Sequence, residues 1–240
     1  MALNVELVPA FNDNYLFILT CEETGTTAVV DPGDASAIKK ALGERNLDMI
    51  LCTHHHADHI GGVKELVNTY SCPVYASGYD VEHGRIPHAQ PLDESDTINV
   101  GDHTANILFT PGHTLGHICY HFADDKKLFC GDTLFLGGCG KLFEGTPQDM
   151  FTSLNKLKNL PQNTRVYCAH EYTQNNMAFA LSVEPENTAF KDRMEQVKAT
   201  RAANTPTIPG TLEQELKANI FLQAPTYQKL AELRQLKDAF

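Results

Sequence analysis

The stretch of this sequence richest in potential chemistry is THHHADHIGG, residues 53–62, where four histidines and one aspartate occupy six consecutive positions. Imidazole nitrogens combined with a carboxylate form the ligand set that suits zinc and related transition metals. The stretch lies well inside the 240-residue chain, so it is not a purification tag. We therefore predict a metal site with His54, His56, Asp58 and His59 among its ligands.

The spacing within this stretch predicts how the ligands converge. Alternate residues of an extended segment point the same way, so His54, His56 and Asp58 are expected to face one side. His59 is expected to begin a helix over residues 59–68 and to approach the metal from another side. His55 points away in this arrangement and is not predicted to be a ligand.

Further candidate ligands follow other strand-like runs. MILC leads into His54, ANILF is followed by TPGH ending at His113, KLFC runs into Asp132, and RVYC runs into His170. Ligands commonly gather on the rim that such strand ends form. Seven donors exceed what one four-coordinate ion holds, so the pattern predicts two metals.

Simpler interpretations exist for several of these residues. A lone histidine after a strand, such as His113, is more often a surface or hydrogen-bonded residue, and Asp132 in GDT is also a typical turn residue. Both gain weight only beside the cluster at residues 54–59. The histidines with nothing comparable around them are predicted to have no special role: His83, His88, His103, His117 and His121.

The elements that must position these residues are short strands alternating with helices. Strands are predicted at 15–20, 26–31, 49–52, 105–109, 117–122, 127–130 and 165–168. Asp34 is expected to cap a helix over 35–45, and Thr146 followed by Pro147 is expected to open another over 147–160. Helices placed in this way can cover both faces of the sheets.

Beyond Glu171 the pattern changes to helices, predicted at 187–202, 211–222 and 225–240. The punctuated segment 204–210 separates the first from the others. We predict two domains, an α/β metal-binding domain over residues 1–170 and a helical, substrate-binding domain over 171–240.

Composition restricts the class of protein. A net charge of −11 and a pI of about 5.4 argue against a nucleic-acid partner, because such binders usually carry a basic surface. No apolar run approaches a membrane span, and the N-terminal segment lacks the features of a secretory signal or a transit peptide. The seven cysteines include no C-x-x-C pair and are expected to be buried thiols in a reducing compartment. We therefore expect a cytoplasmic protein. We also expect the protein to be a monomer, although composition does not bear on its oligomeric state.

These residues resemble the metallo-β-lactamase superfamily, whose H-x-H-x-D-H signature matches residues 54–59 in full. TPGHTLGH, CGDTLF and CAHEYT match its later ligand positions, and VVDPGD resembles its opening strand, with Asp31 in a supporting role. The resemblance implies an α/β fold, the four-layer αββα sandwich, with metals at one rim. It further implies the following ligand sets: His54, His56 and His113 for one ion, Asp58, His59 and His170 for the other, and Asp132 as the bridge.

Within that superfamily the chain most resembles the glyoxalase II family, the hydroxyacylglutathione hydrolases, over essentially its whole length. THHHADHIGG, TPGHTLGHICY, GDTLFLGGCGKLFEG and HEYT match in order, and the C-terminal α-helical domain corresponds to that family's extension. The resemblance implies glutathione contacts from Lys141, Tyr172, Arg234 and Lys237. Phe143 stands where the best-known members have Tyr, so a hydroxyl contact to glutathione is lost there.

The resemblance also implies the reaction: hydrolysis of S-D-lactoylglutathione, and of other 2-hydroxyacyl glutathione thioesters, in methylglyoxal detoxification. Two divalent ions, zinc or else iron or manganese, would activate a water molecule, and Asp58 would orient it. The alternatives are a mononuclear iron persulfide dioxygenase, a lactonase or phosphodiesterase, and a non-catalytic protein that inherited the fold. Retention of Asp58 and His59 argues against the last.

Overall fold

A computed structural model describes residues 3–240, which divide between two units. The first unit runs to Phe109 and also takes in Gly116–Gly131, while the second consists of Thr110–Leu115 and Asp132–Phe240. These units are defined by packing, so the predicted domain boundary between residues 170 and 171 stays a prediction. Over residues 3–240, none of the helices combines the length and apolar character needed to traverse a bilayer.

One sheet of the first unit has six strands in chain order: β1 (Leu3–Ala10), β2 (Asn14–Cys21), β3 (Thr27–Val30), β4 (Met49–Leu51), β5 (Val74–Ser77) and β6 (Ala89–Leu92). β1, β2 and β3 pair antiparallel, whereas β3 to β6 pair parallel. Because β3 and β4 are parallel, with Val30 opposite Leu51, the residues that follow the two strands meet at one edge of the sheet.

The same unit contains four antiparallel strands of a second sheet: β7 (Thr97–Val100), β8 (His103–Phe109), β9 (Ile118–Phe122) and β10 (Lys127–Gly131). Phe17 of β2 meets Phe129 of β10 edge to face, with ring centroids 5.4 Å apart. The Tyr120 hydroxyl donates to the carbonyl of Cys52 at 2.9 Å. These contacts pack the two sheets of the unit face to face.

The helices of the first unit are α1 (Ala35–Leu42), α2 (Ala57–Ile60), α3 (Val63–Tyr70) and α4 (Gly78–Glu82). Ile38 of α1 and Leu66 of α3 share a buried cluster with Ile18 and Ile50 of the first sheet. Since side chains alternate along a strand, Ile18 faces the helices while the neighbouring Phe17 faces the second sheet. The unit is therefore layered as helix, sheet and sheet. Burial of each aliphatic side chain between these layers stabilises the folded state by roughly 1.5–3 kcal/mol.

The second unit is mainly helical. Its strands form two short antiparallel pairs, β11 (Leu134–Phe135) with β12 (Gly138–Cys139), and β13 (Arg165–Cys168) with β14 (Gly210–Thr211). Its helices are α5 (Pro147–Lys158), α6 (Thr173–Val183), α7 (Thr188–Ala202), α8 (Leu212–Ala218) and α9 (Tyr227–Asp238). α6 packs on α7, and α5 packs on α9.

A buried polar network anchors the β11–β12 hairpin to α8. The amide of Asn219 donates to the carbonyls of Phe135 and Gly138 at 3.1 and 3.0 Å. Glu215 accepts from the backbone N–H of Gly137 at 2.7 Å, and burial raises the pKa of this carboxyl to about 7. The segment that leads into Cys139 is thus held by side chains from the C-terminal part of the chain.

Most of the predicted elements are confirmed. Each of the seven predicted strands is present, and Asp34 caps α1 by accepting from the backbone N–H groups of Ser36 and Ala37. Thr146 and Asp149 form a capping box at the start of α5. All seven cysteines are buried thiols, as expected.

Two predicted helices differ most from their observed limits. The helix predicted over 59–68 is interrupted: α2 ends at Ile60 and α3 begins at Val63. A side chain at Gly62 would meet the Pro32 carbonyl at 2.5 Å, so this turn packs directly against backbone. The helix predicted over 211–222 ends at Ala218, because Asn219 adopts an extended conformation.

Candidate metal centre

Asp31 organises the edge of the sheet where β3 and β4 end. It follows β3 and is buried, and its Oδ1 accepts from the backbone N–H of Thr53 at 2.7 Å. Its Oδ2 accepts from the Thr53 hydroxyl at 2.6 Å and lies 3.0 Å from Nδ1 of His59. The Asp31 carboxylate thus contacts both Thr53, which follows β4, and His59 of α2. These contacts support the predicted supporting role of Asp31.

These contacts assign the protonation of two histidines. The Thr53 hydroxyl has one proton, which it donates to Asp31, so its 3.1 Å contact with Nδ1 of His54 has the histidine N–H as donor. Nδ1 of His59 likewise donates to the Asp31 carboxylate. In a neutral imidazole the other nitrogen, Nε2, then carries the lone pair that a metal requires. Both rings are buried, and their centroids lie 4.1 Å apart.

Asp58 departs from the geometry predicted for it. It lies in the first turn of α2 and not in an extended segment, so the alternation argument was wrong for this residue. Its Oδ2 nevertheless lies 3.5 Å from Nε2 of His59. The Asn14 amide donates to the same oxygen at 3.0 Å. Asn14 was missed from the sequence because a single asparagine 44 residues away carries no motif.

The loop that follows Asp31 must lack side chains where it meets α2. A Cβ on Gly33 would lie 1.8 Å from the carbonyl oxygen of Asp58, which no side chain tolerates. Asp31 itself has a φ of 51°, in the left-handed region. Non-glycine residues adopt this region rarely, and it is frequently found at functional sites.

The remaining histidines of the motif differ in what they contact. The rings of His54 and His56 lie 4.7 Å apart, whereas Nδ1 of His55 lies 3.3 Å from the buried carboxylate of Asp80. His117, predicted to have no special role, is buried and stacks on His54 with centroids 4.9 Å apart. This contact limits the orientations open to His54, and nothing local in the sequence signals it.

In the second unit, Asp132 lies between two histidines. Its Oδ2 is 3.4 Å from Nε2 of His113 and 3.5 Å from Nε2 of His170. Nδ1 of His113 lies 2.7 Å from the Lys141 carbonyl. A carbonyl only accepts, so Nδ1 is the protonated nitrogen and Nε2 carries the lone pair. All three side chains are buried.

Aromatic rings surround the histidines of the second unit. Tyr172 stacks on His170 with centroids 4.8 Å apart and planes 6° from parallel. Phe135 meets His170 edge to face, and Phe143 meets His113 in the same way. Phe143 is 62% exposed and Tyr172 is 36% exposed, so both rings present a face to solvent beside a candidate ligand.

The predicted cationic contacts differ in how available they are. Arg234 is buried, donates to the Cys139 carbonyl at 2.9 Å and pairs with Asp238 at 2.9 Å. Lys237 is half-buried and donates to the side chain of Asn175, and burial together with the charge of Arg234 lowers its pKa to about 8. Lys141 is exposed, with its ammonium 5.7 Å from the centre of the Phe143 ring.

The donor chemistry of both units fits a metal ion. In the first unit, ligand atoms of His54 and His59 lie within 4.8 Å of each other and of the Asp31 carboxylate that supports them. The second unit supplies two imidazole nitrogens around one carboxylate. Three histidines, His54, His59 and His113, have their Nδ1 engaged by an oxygen, the arrangement by which proteins orient histidine ligands. These clusters are characteristic of a divalent metal site.

Two protein-family models match adjacent parts of the chain. Residues 10–170 match the metallo-beta-lactamase superfamily model. Residues 171–240 match the model of the hydroxyacylglutathione hydrolase C-terminus.

Individual proteins are similar over the whole chain. A hydroxyacylglutathione hydrolase of Synechococcus sp. (strain JA-2-3B'a(2-13)) is 44% identical over 99% of this chain and 100% of its own length. A hydroxyacylglutathione hydrolase of Rhodopseudomonas palustris (strain BisA53) is 47% identical over 98% of this chain and 92% of its own.

Among solved structures, ETHE1 from Myxococcus xanthus superposes with a TM-score of 0.74 at 20% identity, covering 98% of this chain and 90% of that one. The predicted fold class, the metallo-β-lactamase fold with a C-terminal helical region, is confirmed.

Proposed function

The chain belongs to the hydroxyacylglutathione hydrolase family of the metallo-β-lactamase superfamily, and on that premise we propose that it hydrolyses S-D-lactoylglutathione to D-lactate and glutathione. Other 2-hydroxyacyl glutathione thioesters are substrates of the same class. The observation that carries the proposal is the full-length similarity to hydroxyacylglutathione hydrolases, combined with histidine and aspartate clusters of the type that holds a metal.

We propose two zinc ions per chain, bound by the ligand set that the resemblance implies. His54, His56 and His113 would hold one ion, Asp58, His59 and His170 would hold the other, and Asp132 would serve both. The proximity of Asp58 Oδ2 to His59 Nε2 supports their assignment to one ion. The position of Asp132 Oδ2 between His113 and His170 supports a bridging role.

Bound divalent ions supply two kinds of chemistry, lowering the pKa of water toward ~7 and polarising a carbonyl group. The protein positions the reactants around them. Asp58 is proposed to orient the attacking water through its carboxylate, which the Asn14 amide holds by a hydrogen bond at 3.0 Å. The leaving thiol has a pKa near ~8.5, so it departs as thiolate without a strong general acid.

Glutathione carries two carboxylates, so an overall acidic protein must bind it through local cations. We propose Lys141, Arg234 and Lys237 for this role, with Tyr172 as a further contact and Phe143 as an apolar wall. The exposure of Lys141, Tyr172 and Phe143 supports direct contact. Arg234 and Lys237 lie on α9, and the Arg234 guanidinium also holds the Cys139 carbonyl just before Lys141.

The remaining predictions follow from this activity. We propose that residues 1–170 form the catalytic domain and residues 171–240 the substrate-binding domain, and that the protein acts as a cytoplasmic monomer in methylglyoxal detoxification. Its substrate is a small molecule, so neither a nucleic acid nor a membrane is a proposed partner.

The test is a hydrolysis assay on lactoylglutathione with the metals of the same purified sample counted. We expect rapid thiol release and two ions per chain. A sample with full metal content that releases no thiol would contradict the proposed reaction. One iron per chain with oxygen uptake on a glutathione persulfide would favour the dioxygenase instead.

A further inference from the structure

A second group of metal-ligand side chains lies in the first unit, outside the histidine motif. It consists of Cys21 at the end of β2, Glu23 in the turn that follows, and His103 at the start of β8. One ligand atom from each side chain lies within 4.8 Å of the others. The set combines sulfur, oxygen and nitrogen donors, all of which zinc accepts.

His103 supplies the clearest sign that this group binds a ligand. Its side chain is only 9% exposed, and its Nδ1 lies 2.8 Å from the carboxylate of Asp125. Nδ1 is therefore the protonated nitrogen, and Nε2 carries the lone pair. Nε2 is buried and has no hydrogen-bond partner within residues 3–240. A buried polar atom left without a partner costs about 1–3 kcal/mol, and a bound cation would remove that cost.

The Asp125–His103 pair has the form of a metal ligand with its support. Histidine ligands typically donate their second N–H to a carboxylate or carbonyl, which fixes the orientation of the ring. The Asp125 carboxylate is itself held, because the backbone N–H of Leu3 donates to its Oδ1 at 3.0 Å. The ring of His103 is thus oriented in advance, beside the ligand atoms of Cys21 and Glu23.

The Cys21 thiol is tightly packed beside Glu23 and the β7–β8 turn. It is buried, and its Sγ lies 3.9 Å from Oε2 of Glu23. A Cβ on Gly101 would lie 2.6 Å from this sulfur, and Gly101 has a φ of 59°, so the β7–β8 turn approaches the thiol as only glycine permits.

We infer that Cys21 Sγ, the Glu23 carboxylate and His103 Nε2 form a binding site for a divalent cation of the zinc class. Three protein ligands leave a fourth, tetrahedral position for water. The ion would tie the turn after β2 to the β7–β8 hairpin and so link the two sheets of this unit. Glu23 is exposed, so the cation can enter from solvent.

The site is separate from the motif at residues 54–59. β2 runs antiparallel to β3, and β3 runs parallel to β4. Cys21 therefore lies at one edge of the first sheet, whereas Asp31 and His54 follow β3 and β4 at the opposite edge. Four residues of strand at about 3.3 Å each separate the two edges.

Cobalt spectroscopy distinguishes the two sites, because only this one contains sulfur. The full chain is produced in minimal medium supplemented with Co²⁺ and then titrated with further Co²⁺. We expect a thiolate-to-cobalt charge-transfer band in the near ultraviolet. Cys21→Ser should lose the band, whereas Cys72→Ser, which alters another buried thiol of the same unit, and His56→Asn should retain it.

Two further variants test the affinity without touching the thiol. Glu23→Gln removes an exposed carboxylate, and Asp125→Asn removes the support of His103. Each should weaken Co²⁺ binding at this band by about 10- to 100-fold. The inference is overturned if the unaltered chain shows no such band at saturating Co²⁺, if Cys21→Ser keeps it, or if Glu23→Gln leaves the dissociation constant unchanged. Should Cys21→Ser fail to fold, Glu23→Gln decides.

Discussion

Residues 53–62 of the first unit and the trio His113, Asp132 and His170 of the second solve the same problem differently. In the first region the donors follow one another in sequence from the end of β4 into helix α2. In the second, each donor comes from a separate segment, and the three meet only because the unit folds. Both regions nevertheless present imidazole Nε2 beside a carboxylate oxygen.

The two regions also hold their histidines by different means. His59 is oriented by the Asp31 carboxylate and His54 by the Thr53 hydroxyl, whereas His113 is oriented by a backbone carbonyl. A side-chain support can be removed by substitution, but a carbonyl remains whatever residue occupies the position. The first region should therefore be sensitive to changes around its ligands, and the second mainly to changes of the ligands themselves.

The largest effect is expected where the second region loses its central carboxylate. Asp132→Asn removes the negative charge between His113 and His170, and activity on lactoylglutathione should fall roughly 10²–10³-fold, the scale on which losing one electrostatic stabiliser acts. Metal content should fall as well. Asp192→Asn, an exposed change on α7 in the same unit, is the matched control. Normal activity and full metal content in Asp132→Asn would show that the trio holds no metal.

The next largest effect, on metal affinity, is expected when a side chain that orients a histidine is replaced. Asp31→Asn weakens the acceptor for His59, so metal affinity should fall about 10- to 100-fold by competition with a chelator. Lys141→Ala should leave metal affinity unchanged, because the carbonyl that holds His113 is retained. Asp34→Asn, three residues from Asp31, is a control for the loop and alters only the cap of α1. Equal metal affinities for Asp31→Asn and Asp34→Asn would remove Asp31 from the site.

The predictability of the two regions follows from the same difference. Residues 54–59 were identifiable because four donors fall within six positions. His113, Asp132 and His170 were candidates only through their positions after strand-like runs, and they gained weight from the cluster and from the family resemblance. Asn14 and His117 were missed because each acts through a long-range contact. Lys141 was predicted for its ammonium, yet its carbonyl is what contacts His113, and backbone roles leave no trace in residue type.

The fold shows a parallel division. Predicted strands rich in Val, Ile, Leu and Phe were found, because burial and β-branched residues mark them locally. β1 was missed because three of its eight residues, Asn4, Glu6 and Pro9, are polar or break the pattern. α6 was missed as well, since apolar and polar residues do not segregate along TQNNMAFALSV. The break at Gly61–Gly62 depends on the Pro32 carbonyl, which no local pattern announces.

Substrate contacts of the second unit should produce intermediate effects. Arg234→Ala is expected to raise KM for lactoylglutathione about tenfold or more while kcat changes far less, because a charge-assisted contact is worth about 1.5–3 kcal/mol. Loss of the donor to the Cys139 carbonyl should also lower the free energy of unfolding. Steady-state kinetics beside urea denaturation separates the two effects. An unchanged KM would assign Arg234 a structural role alone.

The pH dependence of KM should be smaller and tests Lys237. Burial and the nearby Arg234 lower the pKa of this lysine to about 8, so it is charged below pH 8 and loses its charge above. Affinity for a carboxylate-bearing substrate should therefore fall as pH rises from 7 to 9, with KM increasing up to about fivefold, as for an exposed ion pair. Lys237→Met should flatten this profile. An unaltered profile in that variant would remove Lys237 from the substrate site.

The smallest effect is expected at Phe143, whose ring is exposed and meets His113 edge to face. Phe143→Tyr adds a hydroxyl at the position where the best-known family members have one, without changing the ring. One added hydrogen bond at an exposed position contributes about 0.5 kcal/mol, so KM should fall about twofold while kcat and metal content stay constant. Phe11→Tyr, an equally exposed ring of the first unit, controls for added surface polarity. If both variants leave KM unchanged, the hydroxyl position does not reach glutathione in this chain. If Phe143→Tyr instead lowers metal content, the ring acts by packing on His113, and the second region would depend on its neighbours as much as the first.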